Sequence, residues 1–371
     1  MSAFQLKRIG VVMVPEPGNP HEIEGVINPG AARGRDGQLY LFPRLVGRGN
    51  YSRIGIARVR FNGAGDPAGV ERLGIALEPK ESFEMRDDGT GGCEDPRVTF
   101  IEPLDRYVMA YTAFSSEGPR IALAISDDLF RWERLGLVTF QDYRGIAFEG
   151  ADNKDASVFP VAIPDPSGQL SMAILQRPLF PGSRPEDVAC QRSPRRVDHD
   201  HESIWISYCS TAMAACAPLH LCHFGRHHRL ATPVADWEQL KIGGGTPPIL
   251  TRHGWMTVYH GVSELAVPPG APRELCYSAG VLVLSHEYPQ VIRYRSAEPV
   301  LKPELLLERE GVVANVVFPT AADRRLDLGQ PDRIDVYYGR ADQRIGVARL
   351  DIPTELPATS CGAQMVGRQS Q

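Results

Sequence analysis

Long uninterrupted apolar segments are missing from this sequence of 371 residues. No window approaches the roughly 18 apolar residues that a membrane-spanning helix needs. The stretch from Met1 to Pro15 also lacks the apolar segment and the small-residue cleavage site of a secretory signal. We therefore expect a soluble, cytoplasmic protein with no membrane partner.

An excess of positive charge is also absent, since 40 Lys and Arg residues face 45 Asp and Glu residues and the formal net charge is −5. A general nucleic-acid binder needs the opposite balance. The one Arg-rich stretch, Arg192 to Arg196, is short and flanked by Pro, Ser and Asp, which is typical of a solvated loop. The charge therefore predicts no nucleic-acid partner.

Cysteine is scarce, with seven residues at irregular spacing in a chain too large to need disulfide bonds, so we expect reduced thiols. Six of the ten histidines lie between His199 and His228, alongside Cys209, Cys216 and Cys222. No pair of these residues has the spacing of a zinc site. We expect neither a metal ion nor an organic cofactor.

Helical periodicity is scarce too, whereas 36 glycines and 31 prolines indicate many tight turns. An apolar strand that ends near a tyrosine, followed by a second apolar strand, recurs five times at intervals of roughly 60 to 85 residues. The copies begin at Leu39, Val108, Leu170, Met256 and Val336. This repetition predicts an all-β protein, with four-stranded sheets arranged radially as in a β-propeller.

Each repeat has a polar strand start marked by Pro or Gly upstream of its apolar strand. The five starts are Asn28-Pro29, Glu94 to Arg97, Lys154-Asp155, Lys241 before Gly243-Gly244-Gly245, and Asn315 before Phe318-Pro319. Because the innermost strand of each propeller blade faces the central axis, these polar groups should converge on one cavity. Taken singly, each of them also fits a turn between sheets.

The second start carries the most unusual chemistry, with Glu94 and Asp95 followed by Pro96 and Arg97. Pro96 should push Asp95 towards an extended conformation and so aim its carboxylate. The alternative is a turn with an Asp–Arg ion pair, because Asp-Pro is a common turn signal. The register that this stretch shares with four other polar starts favours a site.

The chain resembles glycoside hydrolase family 130, the β-mannoside phosphorylases and related β-mannosidases, from about Asn28 to Leu350. The resemblance rests on seven motifs in order: Gly92 to Val98, Lys154 to Pro160, Gln176-Arg177-Pro178, Lys241 to Pro248, Gly254-Trp255 with Tyr259 to Val262, Glu308 to Pro319, and Tyr337-Tyr338-Gly339 with Ala341-Asp342. It implies a five-bladed β-propeller. We expect one such domain over residues 26–351, an N-terminal extension at 1–25 and a C-terminal tail at 352–371.

The resemblance also implies inversion at the anomeric carbon, with Asp95 as general acid and inorganic phosphate as co-substrate. The family's phosphate ligands correspond to Lys154, Arg177, Lys241 and His260, a set that we expect to supply four cations. The implied substrate is a terminal β-mannoside, and the product is α-mannose 1-phosphate. The rival interpretations are a β-mannosidase that uses water and a glycan-binding propeller without catalysis.

Sugar contacts are implied at the remaining motif positions, which are Asn28, Arg44, Glu94, Asp155 and Asp342. Arg53 and Arg58 lie close to Arg44 and are alternatives to it, and Glu94 has the alternative role of orienting Arg97. One departure is Gln176, which stands where family phosphorylases often carry His, and we expect it beside the phosphate. The charged segment from Arg184 to Asp200 should shape the acceptor subsite or a homo-oligomer contact.

Overall fold

The computed structural model describes residues 4–180, 201–268 and 270–357, and β-strands dominate all three ranges. The charged segment Arg184 to Asp200, Cys190, Cys361 and most of the predicted C-terminal tail lie outside the described residues. The described strands form four hydrogen-bonded sheets, one of which contains two blades joined edge to edge. The fold is a five-bladed β-propeller.

The first two blades share the largest sheet, but only the parallel residue pairs Tyr51–Gly91 and Ser52–Gly92 connect them. Blade 1 comprises β2 (Gly25–Arg33), β3 (Leu39–Gly47), β4 (Tyr51–Phe61) and β5 (Pro67–Leu77). Blade 2 comprises β6 (Gly91–Ile101), β7 (Arg106–Ser115), β8 (Gly118–Ser126) and β9 (Glu133–Leu137). Adjacent strands within each blade are antiparallel.

The remaining three blades form separate sheets. Blade 3 comprises β11 (Asp152–Val158), β13 (Leu170–Leu179), β14 (Ile204–Ser210) and β15 (His223–Ala231), with the short strands β10 (Thr139–Phe140) and β12 (Ile163–Pro164). Blade 4 comprises β16 (Lys241–Gly243), β17 (Ile249–Thr251), β18 (Gly254–Glu264), β19 (Leu275–Leu284) and β20 (Ile292–Arg295). Blade 5 comprises β21 (Val317–Arg324), β22 (Arg333–Arg340), β23 (Arg344–Asp351) and β1 (Leu6–Met13).

Strand β1 closes the ring, because it is the outer strand of the last blade although it comes first in the chain. It pairs with β23 in antiparallel register, with Leu6 opposite Leu350. The segment 1–25, predicted as an extension, thus contributes a strand to the propeller. The cause is the free edge of β23, whose backbone groups need hydrogen-bond partners.

Helices are short in the described part of the chain, where α1 (Thr211–Cys216) and α2 (Leu306–Arg309) lie between strands. No helix there is long and apolar enough to cross a membrane. The side chain of Ser210 caps α1 by accepting a hydrogen bond from the Met213 backbone N–H. Single 3₁₀ turns fill other connections, at Ser82–Glu84, Glu102–Leu104, Pro218–Cys222, Asp236–Glu238 and Leu326–Leu328.

The hydrophobic core lies between neighbouring blades, because both faces of each sheet meet another sheet. One buried cluster joins Val258 and Val281 of blade 4 to Val336 of blade 5. Another joins Leu41 of blade 1 to Val347 of blade 5 across the point where the ring closes. Three further clusters fill the other junctions. Burial on both faces explains why the strands are apolar over most of their length.

A buried glutamate recurs in three blades and explains the tyrosine of the sequence repeat. The three residues are fully buried and belong to short helical turns that precede an inner strand. Glu84 and Glu238 are the last residues of their turns, and Glu308 lies within its turn. Each carboxylate accepts hydrogen bonds from two backbone N–H groups of its own turn. The turn is thereby held in place at the start of the blade.

The same three carboxylates each bind a tyrosine from the second strand and an arginine from the outer strand. Their tyrosine partners are Tyr111, Tyr259 and Tyr338, at 2.6, 2.5 and 3.0 Å. Their arginine partners are Arg134, Arg295 and Arg8, at 2.8, 2.7 and 2.8 Å. Each glutamate therefore links the second and fourth strands of its blade, and in blade 5 that fourth strand is β1.

Candidate active site

The first strands of blades 1, 2, 3 and 5 contact one another around the axis. Those of blades 1, 2 and 3 carry a β-bulge at the same place. In blades 1, 2 and 3, two residues of the inner strand lie opposite a single residue of the second strand. The first residue of each bulge is in the left-handed region: Asn28 (φ 44°), Asp95 (φ 47°) and Asp155 (φ 58°). Asn and Asp are the side chains that tolerate this backbone best, so the bulges aim three polar groups at one cavity.

The extended conformation expected for Asp95 is therefore wrong, because its φ is 47°. The preference that Pro96 imposes is overridden by the pairing on either side, where Glu94 faces Thr112 and Arg97 faces Ala110. This register leaves an extra residue on β6, and the chain accommodates it by turning Asp95 out of the strand.

The Asp95 carboxylate is held at one oxygen and open at the other. Asn28 Nδ2 and Arg44 Nη1 both donate to Asp95 Oδ1, at 3.0 and 3.2 Å, and no hydrogen bond from the described residues reaches Oδ2. Burial raises the pKa of Asp95, but the charges of Arg44, Arg97 and Lys154 outweigh it and hold the pKa below its usual range. Asp95 is therefore ionised at neutral pH.

Arg97 joins three blades behind this carboxylate and is 1% exposed. Its guanidinium donates to Asp95 O at 2.8 Å within blade 2, to Asp155 Oδ1 of blade 3 at 3.2 Å, and to the Gly244 and Gly245 carbonyls of blade 4 at 3.2 Å each. Arg97 thus sets the distance between the bulges of blades 2 and 3.

Arg177 lies on β13 beside the bulge of blade 3. Its Nε donates to Asp155 Oδ2 at 2.5 Å, and its Nη1 forms an ion pair with Glu202. Glu202 Oε1 lies 3.9 Å from Lys241 Nζ of blade 4. Burial raises the pKa of Asp155, but Arg177, His260 and Arg97 reverse this and lower it far below its usual range. Asp155 is a permanent anion that orients Arg177.

His260 lies on β18, with Nε2 3.7 Å from Asp155 Oδ2 and with a buried Nδ1 that has no hydrogen-bond partner among the described residues. Burial lowers the pKa of His260 to about 3, and the nearby charges of Arg177 and Lys241 add to this effect, while Asp155 opposes it. The expected fourth cation is therefore a neutral imidazole at neutral pH.

Gly243 is required where these side chains meet. A Cβ on Gly243 would overlap both Asp155 Oδ2 and the His260 ring, so only glycine lets the two groups approach across the β16 backbone. This position explains why Lys241 is followed by a glycine run in the sequence.

Asp342 follows β22 and approaches from the blade 5 side, again with a left-handed backbone at φ 46°. Burial raises the pKa of Asp342 to about 6, an effect that Arg44 opposes and that Asp95 and Glu94 strengthen. The site thus contains two aspartates whose pKa is lowered, Asp95 and Asp155, and one whose pKa is raised, Asp342.

These side chains line one cavity of about 620 Å³ at the axis. Nine of the ten residues predicted from the sequence are on its wall: Asn28, Arg44, Asp95, Lys154, Asp155, Arg177, Lys241, His260 and Asp342. Apolar groups complete the wall, among them Phe114, Tyr277 and Phe318. Within residues 4–180, 201–268 and 270–357, no group of three or more His, Cys, Asp or Glu side chains is arranged to hold a metal ion.

Residues 6–356 match the sequence model of a family described as β-1,4-mannooligosaccharide phosphorylase, glycoside hydrolase family 130. The chain belongs to glycoside hydrolase family 130, and it is an enzyme.

Individual relatives agree with this assignment. A 1,2-β-oligomannan phosphorylase from Thermoanaerobacter sp. is 30% identical over 358 residues, which cover 94% of this chain and 98% of the relative. A β-1,4-mannooligosaccharide phosphorylase from Ruminococcus albus is 37% identical over 279 residues, covering 75% of this chain and 68% of the relative. The fold agrees with that of the solved β-1,2-mannobiose phosphorylase from Listeria innocua, which has a TM-score of 0.66 at 22% identity and covers 94% of this chain and 97% of that one.

Glu94 is the one predicted site residue of this family 130 chain that does not line the cavity. It is 1% exposed and accepts from Arg44 Nη2 at 2.9 Å and from Lys154 Nζ at 3.2 Å. The alternative role of orienting Arg97 is wrong, because Arg97 pairs with Asp155. Side chains alternate along β6, so Glu94 supports the two cations from behind.

Gln176 faces away from the cavity, which corrects its expected place beside the phosphate. It is fully buried, accepts from Asn153 Nδ2 and donates to Ser207 Oγ at 2.7 Å. Ser207 Oγ in turn lies 2.7 Å from His227 Nδ1. Gln176 directly precedes Arg177 on β13, and Tyr259 directly precedes His260 on β18 in the same way. Gln176 therefore has the position in blade 3 that the glutamate-binding tyrosine has in blade 4, and its hydrogen-bond network replaces that glutamate–tyrosine pair.

Four charged or amide side chains on the cavity wall were not predicted from the sequence: Asp152, Asn153, Glu202 and Arg273. Glu202 follows a charged segment without strand periodicity, and nothing in the sequence indicated that its carboxylate would meet Arg177 and Lys241. Asn153 directly precedes the Lys154-Asp155 motif, so its place on the motif was the available signal. Its Oδ1 is buried without a partner among the described residues.

Proposed function

We propose that this enzyme catalyses inverting phosphorolysis of terminal β-mannosides, such as manno-oligosaccharides or mannosyl-glucose and mannosyl-N-acetylglucosamine units. Inorganic phosphate attacks the anomeric carbon, the bond to the acceptor oxygen breaks, and α-mannose 1-phosphate and a shortened acceptor are released. The observation that carries the proposal is one cavity in which a bulge-aimed carboxylate, Asp95, lies beside the cations Lys154, Arg177 and Lys241.

The cations supply what a phosphate nucleophile requires. Arg177 offers a planar fork, and Lys154 and Lys241 supply point charges on either side. Together they reduce the repulsion between an anionic nucleophile and the carboxylates and hold it in line with the anomeric carbon. The neutral His260 donates or accepts a hydrogen bond but adds no charge.

Proton transfer falls to Asp95, directly or through a mannosyl hydroxyl as in the phosphorylases of the family. A general acid must be protonated, whereas the charges of Arg44, Arg97 and Lys154 favour the ionised form of Asp95. A phosphate dianion among the cations offsets their charge and therefore raises the pKa of Asp95. The acid thus becomes competent when its co-substrate is bound.

Four residues on the wall are suited to sugar hydroxyls: Asn28, Arg44, Asp155 and Asp342. Carboxylates and amides bind hydroxyls as acceptors, and Asp342, with its pKa near 6, also donates when protonated. The volume of about 620 Å³ is sufficient for a small oligosaccharide end together with an anion.

A β-mannosidase is the second candidate, and Glu202 is the observation that favours it. An inverting hydrolase needs a base about 6.5–9.5 Å from the acid, and Glu202 is a further carboxylate on the same wall. Its ion pair with Arg177 disfavours this role, because a carboxylate stabilised by cations is a weak base. A glycan-binding propeller would need neither acid nor anion site.

Product analysis separates the three functions. The protein is incubated with β-1,2- and β-1,4-linked mannobiose, with and without phosphate, and products are resolved by anion-exchange chromatography. We expect α-mannose 1-phosphate that depends on phosphate. Free mannose released without phosphate would refute phosphorolysis and favour the hydrolase, and no product with either linkage or phosphate would favour glycan binding.

A further inference from the structure

The carboxylate of Glu202 occupies the side of Arg177 that faces the cavity. The Arg177 guanidinium donates from Nε to Asp155 and pairs through Nη1 with Glu202. Carboxylates therefore already occupy both of these nitrogens. The same Glu202 carboxylate reaches towards Lys241 Nζ, 3.9 Å away. One protein anion therefore lies between two of the cations that would hold phosphate.

The backbone of Glu202 is held in place, so only its side chain can move away from Arg177. Its backbone carbonyl accepts a hydrogen bond from Ile242 N at 3.2 Å, and Glu202 is paired with Lys241 in a parallel β-bridge. The side chain is 17% exposed, whereas those of Asp155 and Glu94 are each 2% exposed. Rotation of the Glu202 side chain towards the open cavity is therefore the least disruptive way to uncover Arg177.

The other carboxylates at the cations serve as fixed supports. Asp155 is held by Arg97 and Arg177 together, and Glu94 is held by Arg44 and Lys154. Glu202 differs because its side chain is more exposed and lies on the cavity wall between Arg177 and Lys241.

We propose that Glu202 is an internal competitor for the anion site, whose carboxylate must turn away from Arg177 and Lys241 before inorganic phosphate binds. The inference rests on the proposed phosphorolysis and specifies how its co-substrate enters. Phosphate binding becomes an exchange of one anion for another, so affinity for phosphate is weaker than the cations alone would give. When phosphate leaves with the product, Glu202 again neutralises Arg177.

The test is the affinity for phosphate of the full-length Glu202→Gln variant, which keeps the side-chain shape and removes the charge. We expect the dissociation constant of inorganic phosphate, measured by isothermal titration calorimetry, to fall by roughly fivefold or more. The KM for phosphate in phosphorolysis should fall in parallel, while the KM for the mannoside stays constant. A supporting role for Glu202 would raise the phosphate KM instead.

Glu264→Gln is the matched control, because the substitution also removes one negative charge. Glu264 pairs with Arg273, which lies on the cavity wall. This variant should leave phosphate affinity within twofold of wild type if the effect depends on direct competition at Arg177. An equal gain in phosphate affinity in both variants would mean that the lost negative charge acts through the overall electrostatic potential of the cavity. That result would overturn the proposal. Circular dichroism and thermal melts establish that each variant is folded, and Glu202→Ala repeats the test.

The two proposals fail in different ways. If the wild type forms α-mannose 1-phosphate but Glu202→Gln binds phosphate no more tightly, phosphorolysis stands and the competitor is refuted. If the wild type forms only free mannose, phosphorolysis fails, and the calorimetric comparison still decides whether Glu202 competes for the anion site. Absence of phosphate binding in both proteins would refute the competitor.

Discussion

The buried glutamates of the blades and the carboxylates of the cavity show two opposite uses of the same chemical group. Glu84, Glu238 and Glu308 each accept hydrogen bonds from two backbone N–H groups, a tyrosine and an arginine. Asp95 has one oxygen without a partner among the described residues. A carboxylate with its lone pairs occupied stabilises the fold, and one with a lone pair open serves a ligand.

The pKa values follow the same division. Burial raises the pKa of both Glu84 and Glu308, but hydrogen bonds hold each value below its usual range. Glu84 receives these hydrogen bonds from Arg134 and Tyr111, and Glu308 receives one from Arg8. Burial dominates at Asp342, where it raises the pKa to about 6. At this position on the cavity wall, the carboxylate is thus poorly compensated by its surroundings, as is common at functional sites.

We expect the largest change for Asp95→Asn, which removes the proposed proton donor but keeps the hydrogen-bonding shape of the side chain. Turnover should fall by roughly 10²–10⁴-fold, the usual contribution of general acid catalysis. The melting temperature should change little, because Asn retains an acceptor for Asn28 and Arg44. Initial rates of mannose 1-phosphate formation give the first value and calorimetry gives the second.

Asp351→Asn is the control for this change, because Asp351 pairs with Arg349 at the surface. It should match wild type in rate and melting temperature. If Asp95→Asn retained full turnover, Asp95 would not be the acid, and Asp342 would be tested next.

For Glu84→Gln we expect a large loss of stability and no change in turnover. The variant leaves Arg134 without its buried counter-charge, and breaking such a pair costs about 3–5 kcal/mol of unfolding free energy. Turnover per folded molecule should be unchanged, because Glu84 belongs to a turn at the start of blade 2 and does not line the cavity. Urea denaturation monitored by tryptophan fluorescence measures the loss.

The exposed pair Glu71 and Arg58 provides the comparison, and Glu71→Gln should leave the urea midpoint unchanged. The pH dependence adds a second check. Because the pKa of Glu84 is lowered on folding, its stabilisation is present above its unfolded pKa near 4.5 and is lost as the pH falls further. A Glu84→Gln deficit that persisted undiminished at pH 3 would contradict this account.

The smallest effect is expected for Asp342→Asn, and its sign is opposite. A carboxyl whose pKa rises from 3.8 to about 6 on folding stabilises the fold fully below pH 3.8 and loses that contribution as the pH rises through 6. Removing the charge should therefore raise the unfolding free energy at pH 7, by at most about 3 kcal/mol. The gain should vanish near pH 4, and denaturation curves across this range measure it.

Asp351→Asn again serves as the control, with no gain at either pH. Mannoside affinity should weaken in Asp342→Asn, because the asparagine is neutral and its amide N–H₂ replaces a carboxylate oxygen. A loss of stability at pH 7 would mean that Asp342 belongs with the structural glutamates rather than with the site.

Much of this structure was accessible from the sequence, because periodicity and motif order are local properties. The alternating apolar strands predicted the sheets, and nine residues chosen from motifs line one cavity. Glu94 was misplaced because neighbouring side chains on a strand face opposite sides, and the bulge at Asp95 decides which side faces the axis. Gln176 was misplaced for the same reason.

The strand repeat, the motifs that line the cavity and the family were all readable from the sequence. Tertiary structure alone decided that β1 closes the last blade, that His260 is neutral, and that Glu202 lies against Arg177. Strand pairing across the ring, burial and the distances between charges on different blades depend on how distant segments meet. Local patterns carry no information about such distances, which is why the fold was predictable and the charge state of the site was not.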